Sequence, residues 1–420
     1  MKLCSSFSLI AAFALLGATS PSHATIPANG INFSDPLDRI ILQNGTEMRF
    51  DVGIGSGACR LASDPIGIIY TITDRGPNIK TKDAKKLMGL DFGTKKGKIF
   101  PTPNFSPTIY KLKVEAGQVT VLDKIQIKTA DGKQISGVSN PGTEPAWDVN
   151  GNEMNYDPSG IDAEGIVKLK DETFWISEEY GPSILHVGAD GRVIERWVPE
   201  GVKESIVDSG YEVKELLPAI LRKRPLNRGI ESLAVSPDEA FLYFAMQSPL
   251  ANPDKETYTK SRLVRIFKID RSAGKVVGEY VYLIDTPSTF VTDNTTKKRK
   301  QNSVKVSEMT AIGTDKLVIL ERISSTTRFF QIDLTTADNI LGSKWDDPAT
   351  NPSLEQIGAD DIKTLSKTLL LDTDDIGGLM KKVEGLAWIG GDQWIMVNDN
   401  DFGIAGDPTY IVPVTMPVKQ

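Results

Sequence analysis

The sequence predicts an all-β chain folded as a β-propeller of five or six four-stranded blades, with loop insertions and one short helical insertion. Two observations lead there. A unit recurs along the chain in which an acidic residue, often followed by glycine, opens a short apolar strand, and a turn then leads to a second strand ending in polar residues. Between these pairs lie Val-, Ile- and aromatic-rich runs bounded by Asp-Gly, Pro-Asp and Ala-Gly turns, the pattern of antiparallel hairpins. Four-stranded units repeated about an axis close into a propeller. A solenoid is the structural alternative, but the uneven spacing and long insertions oppose regular stacking.

The chain opens with Lys2, an apolar run from about residue 7 to 16, and the small residues of Ser22-His23-Ala24. This predicts a secretory signal over residues 1–24, a single propeller domain over 25–420, and a periplasmic or extracellular location. The remaining sequence has no stretch of 18 uncharged apolar residues, so no membrane insertion is expected. Loss of the signal removes Cys4 and His23. Cys59 is then the one thiol, which excludes an intrachain disulfide, and His186 is the one imidazole, which excludes zinc sites built on two or three histidines.

The units follow in order. A degenerate first copy runs from Gly55-Ser56-Gly57-Ala58 to Asp74-Arg75-Gly76-Pro77. The second carries Asp162-Ala163-Glu164-Gly165 and then Ser177-Glu178-Glu179-Tyr180-Gly181-Pro182. The third carries Ile230-Glu231 and Gln247-Ser248-Pro249, the fourth Ser307-Glu308 and Glu321-Arg322, and the fifth Glu384-Gly385 and Asn398-Asp399-Asn400-Asp401. Strands around residues 40–52 either complete the last blade or belong to a sixth. Tryptophans 175, 197, 388 and 394 are expected in blade cores, and residues 339–366, with helix-compatible spacing, on the opposite face.

This topology places the motifs. The chain reverses at every strand, so the entrance to the first strand and the exit of the second meet on one face. Glu164, Glu231, Glu308 and Glu384 should ring the channel mouth, with Asp74, Glu178, Glu179, Glu321, Asp399 and Asp401 just outside them. Three basic stretches, residues 80–98, 222–224 and 297–305, fall over the same face. The net charge of −7 argues against nucleic acid as a partner.

Carboxylates converging on one mouth repel one another, and a hard cation resolves the conflict. Oxygen donors without histidine or thiolate favour Ca²⁺ over Mg²⁺ or Mn²⁺. The metal ligands expected are Asp74, Glu164, Glu178, Glu231, Glu308, Glu321, Glu384, Asp399 and Asp401. With Arg75, Arg228 and Arg322 able to grip a phosphoryl group and Glu179 beside them, these four are the catalytic candidates for a small anionic, phosphorylated substrate. Metal-activated water would then hydrolyse the phosphoester. Two other readings stay open: a non-catalytic exported propeller that binds a ligand or partner at its mouth, and a calcium-dependent lactonase or esterase. Each residue also has a purely structural role available, Arg75 as a turn partner of Asp74, and Arg228 and Arg322 as salt-bridge partners of neighbouring carboxylates.

As a set, Asp162 to Ile166, Trp175 to Pro182, Asn227 to Glu231, Gln247 to Pro249, Leu320 to Arg322 and Asn398 to Gly403 resemble the phytase-like, or "esterase-like activity of phytase", family of exported proteins. The resemblance spans roughly residues 50–415. It implies a propeller and, by extension from β-propeller phytases, calcium-dependent release of phosphate.

Overall fold

Most strands of the computed structural model, which describes residues 30–377 and 380–419, fall into five sheets built largely of antiparallel pairs. The expected signal lies outside the described residues. The first sheet is Gly57–Cys59, Ile68–Ile72, Thr108–Glu115 and Gln118–Gln126. The second is Ala163–Lys168, Phe174–Glu178, Ser183–Val187 and Val193–Pro199, extended by Glu212–Leu217 in parallel. The third is Ile230–Val235, Phe241–Met246, Leu263–Asp270 and Lys275–Leu283. The fourth is Lys305–Gly313, Lys316–Arg322, Thr327–Asp333 and Lys367–Asp372. The fifth is Val383–Gly390, Gln393–Asn398 and Thr409–Thr415, completed by Ile31–Phe33 from the other end of the chain.

The first strand of each sheet lies against the first strand of the next, and that of the fifth lies against that of the first. The apolar clusters follow the same circuit. Ile72 and Ile166 share one, Leu233 and Met309 another, Val318 and Leu386 a third, and Ala387 and Ile69 a fourth. Five inner strands can crowd together only where side chains are small. A Cβ on Gly57 would lie 2.4 Å from the Glu164 carbonyl oxygen, and one on Gly165 would lie 2.5 Å from the Leu233 amide nitrogen. A Cβ on Gly385 would lie 3.1 Å from that of Ala58, so the glycines after Glu164 and Glu384 are packing requirements between neighbouring sheets.

Several expectations change. Residues 40–52 neither complete the last sheet nor form a sixth. Pro36–Ile41 and Glu47–Asp51 make a separate hairpin whose Met48 and Phe50 pack on Ile79, Ala84, Met88 and Ile99 of the first lysine-rich insertion. Trp175, Trp197 and Trp394 are buried as expected, whereas Trp388 is only partly covered. The stretch 339–366 forms three short 3₁₀ turns, and it runs along the outer edge of the third sheet. There Ile340 and Leu365 donate their amides to the carbonyls of Glu279 and Val281, which covers an edge strand that would otherwise be unpaired. Among the described residues no helix is long and apolar enough to cross a membrane.

The same insertion is pinned by a buried charge cluster. Arg265 donates from Nη1 to Glu279 Oε1 at 2.6 Å, from Nε to Glu355 Oε1 at 2.9 Å and from Nη2 to the Trp345 carbonyl at 3.1 Å, with Asp346 Oδ1 at 3.8 Å. Three carboxyls around one guanidinium leave an excess of negative charge. Burial, reinforced by the hydrogen bond to the Asp346 side chain, pushes the Glu279 carboxyl up to about 8 despite the pull of Arg265. Truncation by Arg265→Ala strands these acids, and should cost about 3–5 kcal/mol in urea unfolding. Because the folded state holds the Glu279 proton more tightly than the unfolded chain, this contribution is complete at acid pH and is lost as pH rises through about 8. Glu279→Gln should flatten that part of the stability profile; a profile as steep as wild type would show that Glu279 does not carry the proton.

Candidate functional site

One polar cavity of about 630 Å³ opens where the inner strands begin. Three structural positions, repeated around the ring, supply its lining. The first lies at the entrance of the inner strand, two residues before the bulge position, and holds Asp162, Lys305 and Lys382 in the second, fourth and fifth sheets. The second is the extra residue of a β-bulge, found between Ala163 and Ile166, Ile230 and Ser232, Val306 and Glu308, and Val383 and Gly385. A bulge re-aims one side chain out of the ladder, and here it turns Glu164, Glu231 and Glu384 into the cavity. The third lies at the exit of the second strand and holds Asp74, Glu179, Gln247, Arg322 and Asp399.

This register sorts the sequence candidates. In the fourth sheet the bulge residue is Ser307, so Glu308 stands one place beyond the ring position. It is turned into the channel, where its Oε1 accepts the Met309 amide at 2.8 Å and its Oε2 the Ala58 amide at 3.2 Å. Consecutive strand residues point to opposite sides, so Glu179 and Arg322 face the cavity while Glu178 and Glu321 face away. Glu178 accepts Gly181 N at 2.7 Å, Tyr180 N at 3.1 Å and Arg196 Nη2 at 3.1 Å. Glu321 accepts the Tyr282 hydroxyl, Lys367 Nζ at 2.6 Å and Asp285 N at 2.8 Å. Glu178, Glu308 and Glu321 are thus spent on structure and do not line the mouth. Asp399 and Asp401 do line it, both beside Lys382.

Two triads of carboxylate oxygens each fit within a 4.8 Å span: Asp74, Asp162 and Glu164, and Glu164, Glu179 and Glu231. Glu164 belongs to both. Burial first, and the neighbouring carboxylates second, drive Asp74, Glu164 and Glu179 well above the usual carboxylate range. Burial and Asp401 raise Asp399 to about 6. Asp162 is 4% exposed, and among the described residues its Oδ1 has no hydrogen-bond partner. The donor set is all oxygen, closely spaced and short of protons or positive charge, which suits a hard divalent cation.

The cations are mostly committed. Arg75, 3% exposed, lies with its guanidinium 4.3 Å from the Tyr180 ring centre and 5.1 Å from that of Phe100. Its Nη1 is 3.4 Å from Asp162 Oδ2 and its Nε donates to the Gly137 carbonyl at 2.8 Å, so it orients Asp162 rather than pairing with the Asp74 carboxylate. Arg228 donates to Gln247, which in turn donates to Glu179 Oε1 at 2.6 Å and to Glu231. Arg322 pairs with Glu384 and donates from Nε to Ser307 Oγ at 2.9 Å. Lys305 is depressed well below the ordinary amine by burial and by Arg322 and Arg228. His186 lies outside this lining, stacked at 4.4 Å on Trp175 with Nε2 3.0 Å from Thr173 Oγ1.

Asp162, Gln247, Lys305 and Lys382 are cavity residues that the sequence reading did not select. For Asp162 a signal was present, since residues two apart on a strand share a face and Glu164 was already chosen.

A model of the Phytase-like family, described as "Esterase-like activity of phytase", matches residues 56–402. A protein of Arthroderma benhamiae described as an uncharacterized secreted protein is 25% identical over 299 residues, which are 63% of this chain and 56% of that protein's length. Among solved structures, Saccharomyces cerevisiae Sqt1 is 10% identical with a TM-score of 0.33, covering 91% of this chain and 78% of its own. The aldose sugar dehydrogenase of Streptomyces coelicolor is 9% identical with a TM-score of 0.32, covering 94% and 99%. Likeness at that level leaves the site to its own geometry.

Calorimetric titration with Ca²⁺ should show binding that weakens by at least about tenfold in Glu164→Gln and Glu231→Gln, each of which removes a charged oxygen donor. Glu321→Gln, whose carboxylate faces away, should bind as wild type does. Affinity should fall as pH is lowered, because protons compete for Asp74, Glu164 and Glu179. Equal affinity in Glu164→Gln, or loss in Glu321→Gln, would place the ion elsewhere.

Proposed function

Because the chain belongs to the Phytase-like family, whose description points to esterase- or phosphatase-like hydrolysis, we propose that it is an exported, calcium-dependent phosphoester hydrolase, a single five-bladed β-propeller over residues 25–420. The observation that supports this most directly is the sharing of Glu164 between two carboxylate triads, in one cavity with the basic side chains of Arg228, Lys305, Arg322 and Lys382. Asp74, Asp162, Glu164, Glu179 and Glu231 would hold the cation, which when bound supplies positive charge against the carboxylates and polarises a phosphoryl oxygen.

The chain's own residues divide the remaining work. Arg75, clamped between two aromatic rings, fixes Asp162 and is a positioning residue. Gln247 links Arg228 to Glu179 and Glu231, so a shift of Arg228 onto a substrate anion would be felt at both acids. Lys305 has no ion-pair partner within 4.0 Å among the described residues, and its neighbours Arg228 and Arg322 make an anion welcome beside it. Glu179 Oε1, held by Gln247, is the acceptor we assign to the proton of the attacking water.

A non-catalytic exported binding module is the second reading. It is favoured by the fact that Arg75, Arg228 and Arg322 already have protein partners. The two separate in a panel of phosphomonoesters, phosphodiesters and lactones assayed in EDTA and after restoring Ca²⁺, Mg²⁺ or Mn²⁺. Phosphate release that requires Ca²⁺, with KM raised about tenfold or more in Lys305→Gln, is the expected result. Turnover of no substrate under any metal would leave the binding module, and full activity in EDTA would remove the cation.

A further inference from the structure

At the far end of the same channel the inner strands build a second cavity of opposite character, about 270 Å³ in volume. All five contribute to it through their later residues, among them Ala58, Val167, Leu233, Ala311 and Trp388, so its wall is apolar. Glu308 separates it from the acidic mouth, held on the amides of Ala58 and Met309. The two ends of the channel therefore differ in chemistry. A small concave apolar site with few polar groups is the general form of a small-molecule pocket.

The charges around it identify the ligand. Lys168 is matched by Glu172 at 2.6 Å, and Lys170 by Glu239 at 3.9 Å. Arg60 is not matched. Its Nη2 donates to the carbonyl of Asp64 at 2.7 Å, taking the backbone oxygen and not the carboxylate, and its Nη1 donates to the carbonyl of Ile389 at 3.3 Å. Among the described residues its Nε is buried without a partner, and no carboxylate lies within 4.0 Å of the guanidinium. A partly buried guanidinium beside an apolar cavity, satisfied only by neutral oxygens, favours an anion that brings its own hydrocarbon. We propose that this well binds a hydrophobic carboxylate, with its chain against the apolar wall and its anion on Arg60. The proposal does not rest on the hydrolase reading, since no residue of the mouth takes part.

Octanoate titrated calorimetrically into the full protein tests it. One site should be seen, with octylammonium, of equal chain and opposite charge, failing to bind at concentrations up to about 10 mM. Arg60→Gln should weaken octanoate by about tenfold or more, the effect of losing one charge-assisted contact. Ala311→Phe should abolish binding by filling the well, while near-ultraviolet circular dichroism stays that of the wild type. The proposal is overturned if octanoate does not bind, if octylammonium binds as well, or if affinity survives in a folded Ala311→Phe, which would put the anion at the basic mouth instead. Should Ala311→Phe fail to fold, the charge preference and Arg60→Gln still decide.

Discussion

Everything distinctive here follows from the close approach of five inner strands. Side chains at their entrances have nowhere to go but a shared cavity, and the strands can converge only where Gly57 and Gly165 leave backbone against backbone. The same crowding gathers Asp74, Asp162 and Glu164 into one carboxylate triad and Glu164, Glu179 and Glu231 into another, each within 4.8 Å. Desolvation and mutual repulsion then act together, so the acids either hold protons or need compensating charge. Packing sets the electrostatic problem, and the problem defines what the cavity can bind.

The basic side chains answer it only in part. Arg75 is aligned with Asp162, and Arg322 with Glu384, while Gln247 carries the influence of Arg228 to two acids without adding charge. None of these pairs reaches the unpartnered Asp162 Oδ1 or relieves Glu164 at the centre of both triads. Charges of both signs thus interleave in one cavity, and a ligand carrying both a cation and an anion would find partners for each.

Much of this was legible in the sequence. The Glu-Gly repeats mark the inner strands of the second and fifth sheets, and the polar strand exits mark the rim, because both arise from local pattern and strand alternation. Register was harder. A bulge moves the cavity position by one residue, so Ser307 takes the place expected for Glu308, and nothing in the local sequence marks which residue is the extra one. Alternation by itself separates Glu179 from Glu178, but only once the last ladder residue is known. Ile31–Phe33 leaves no signal in the sequence because three residues carry almost no periodicity, whereas the longer strands after it have a strand-like pattern and yet form a peripheral hairpin. Partners far apart in sequence, such as Arg265 with Glu355, leave no local trace at all.

Among the described residues the short strand Ile31–Phe33 closes the widest loop of any strand pair, since Phe33 stands opposite Thr409. Residues 31–33 therefore find their partner only once residues 409–411 are in place. Until then the fifth sheet lacks its outer strand, and the contact between the first and fifth inner strands has no outer support. Contacts so distant along the chain are slow to form, and little repays their entropy until they do.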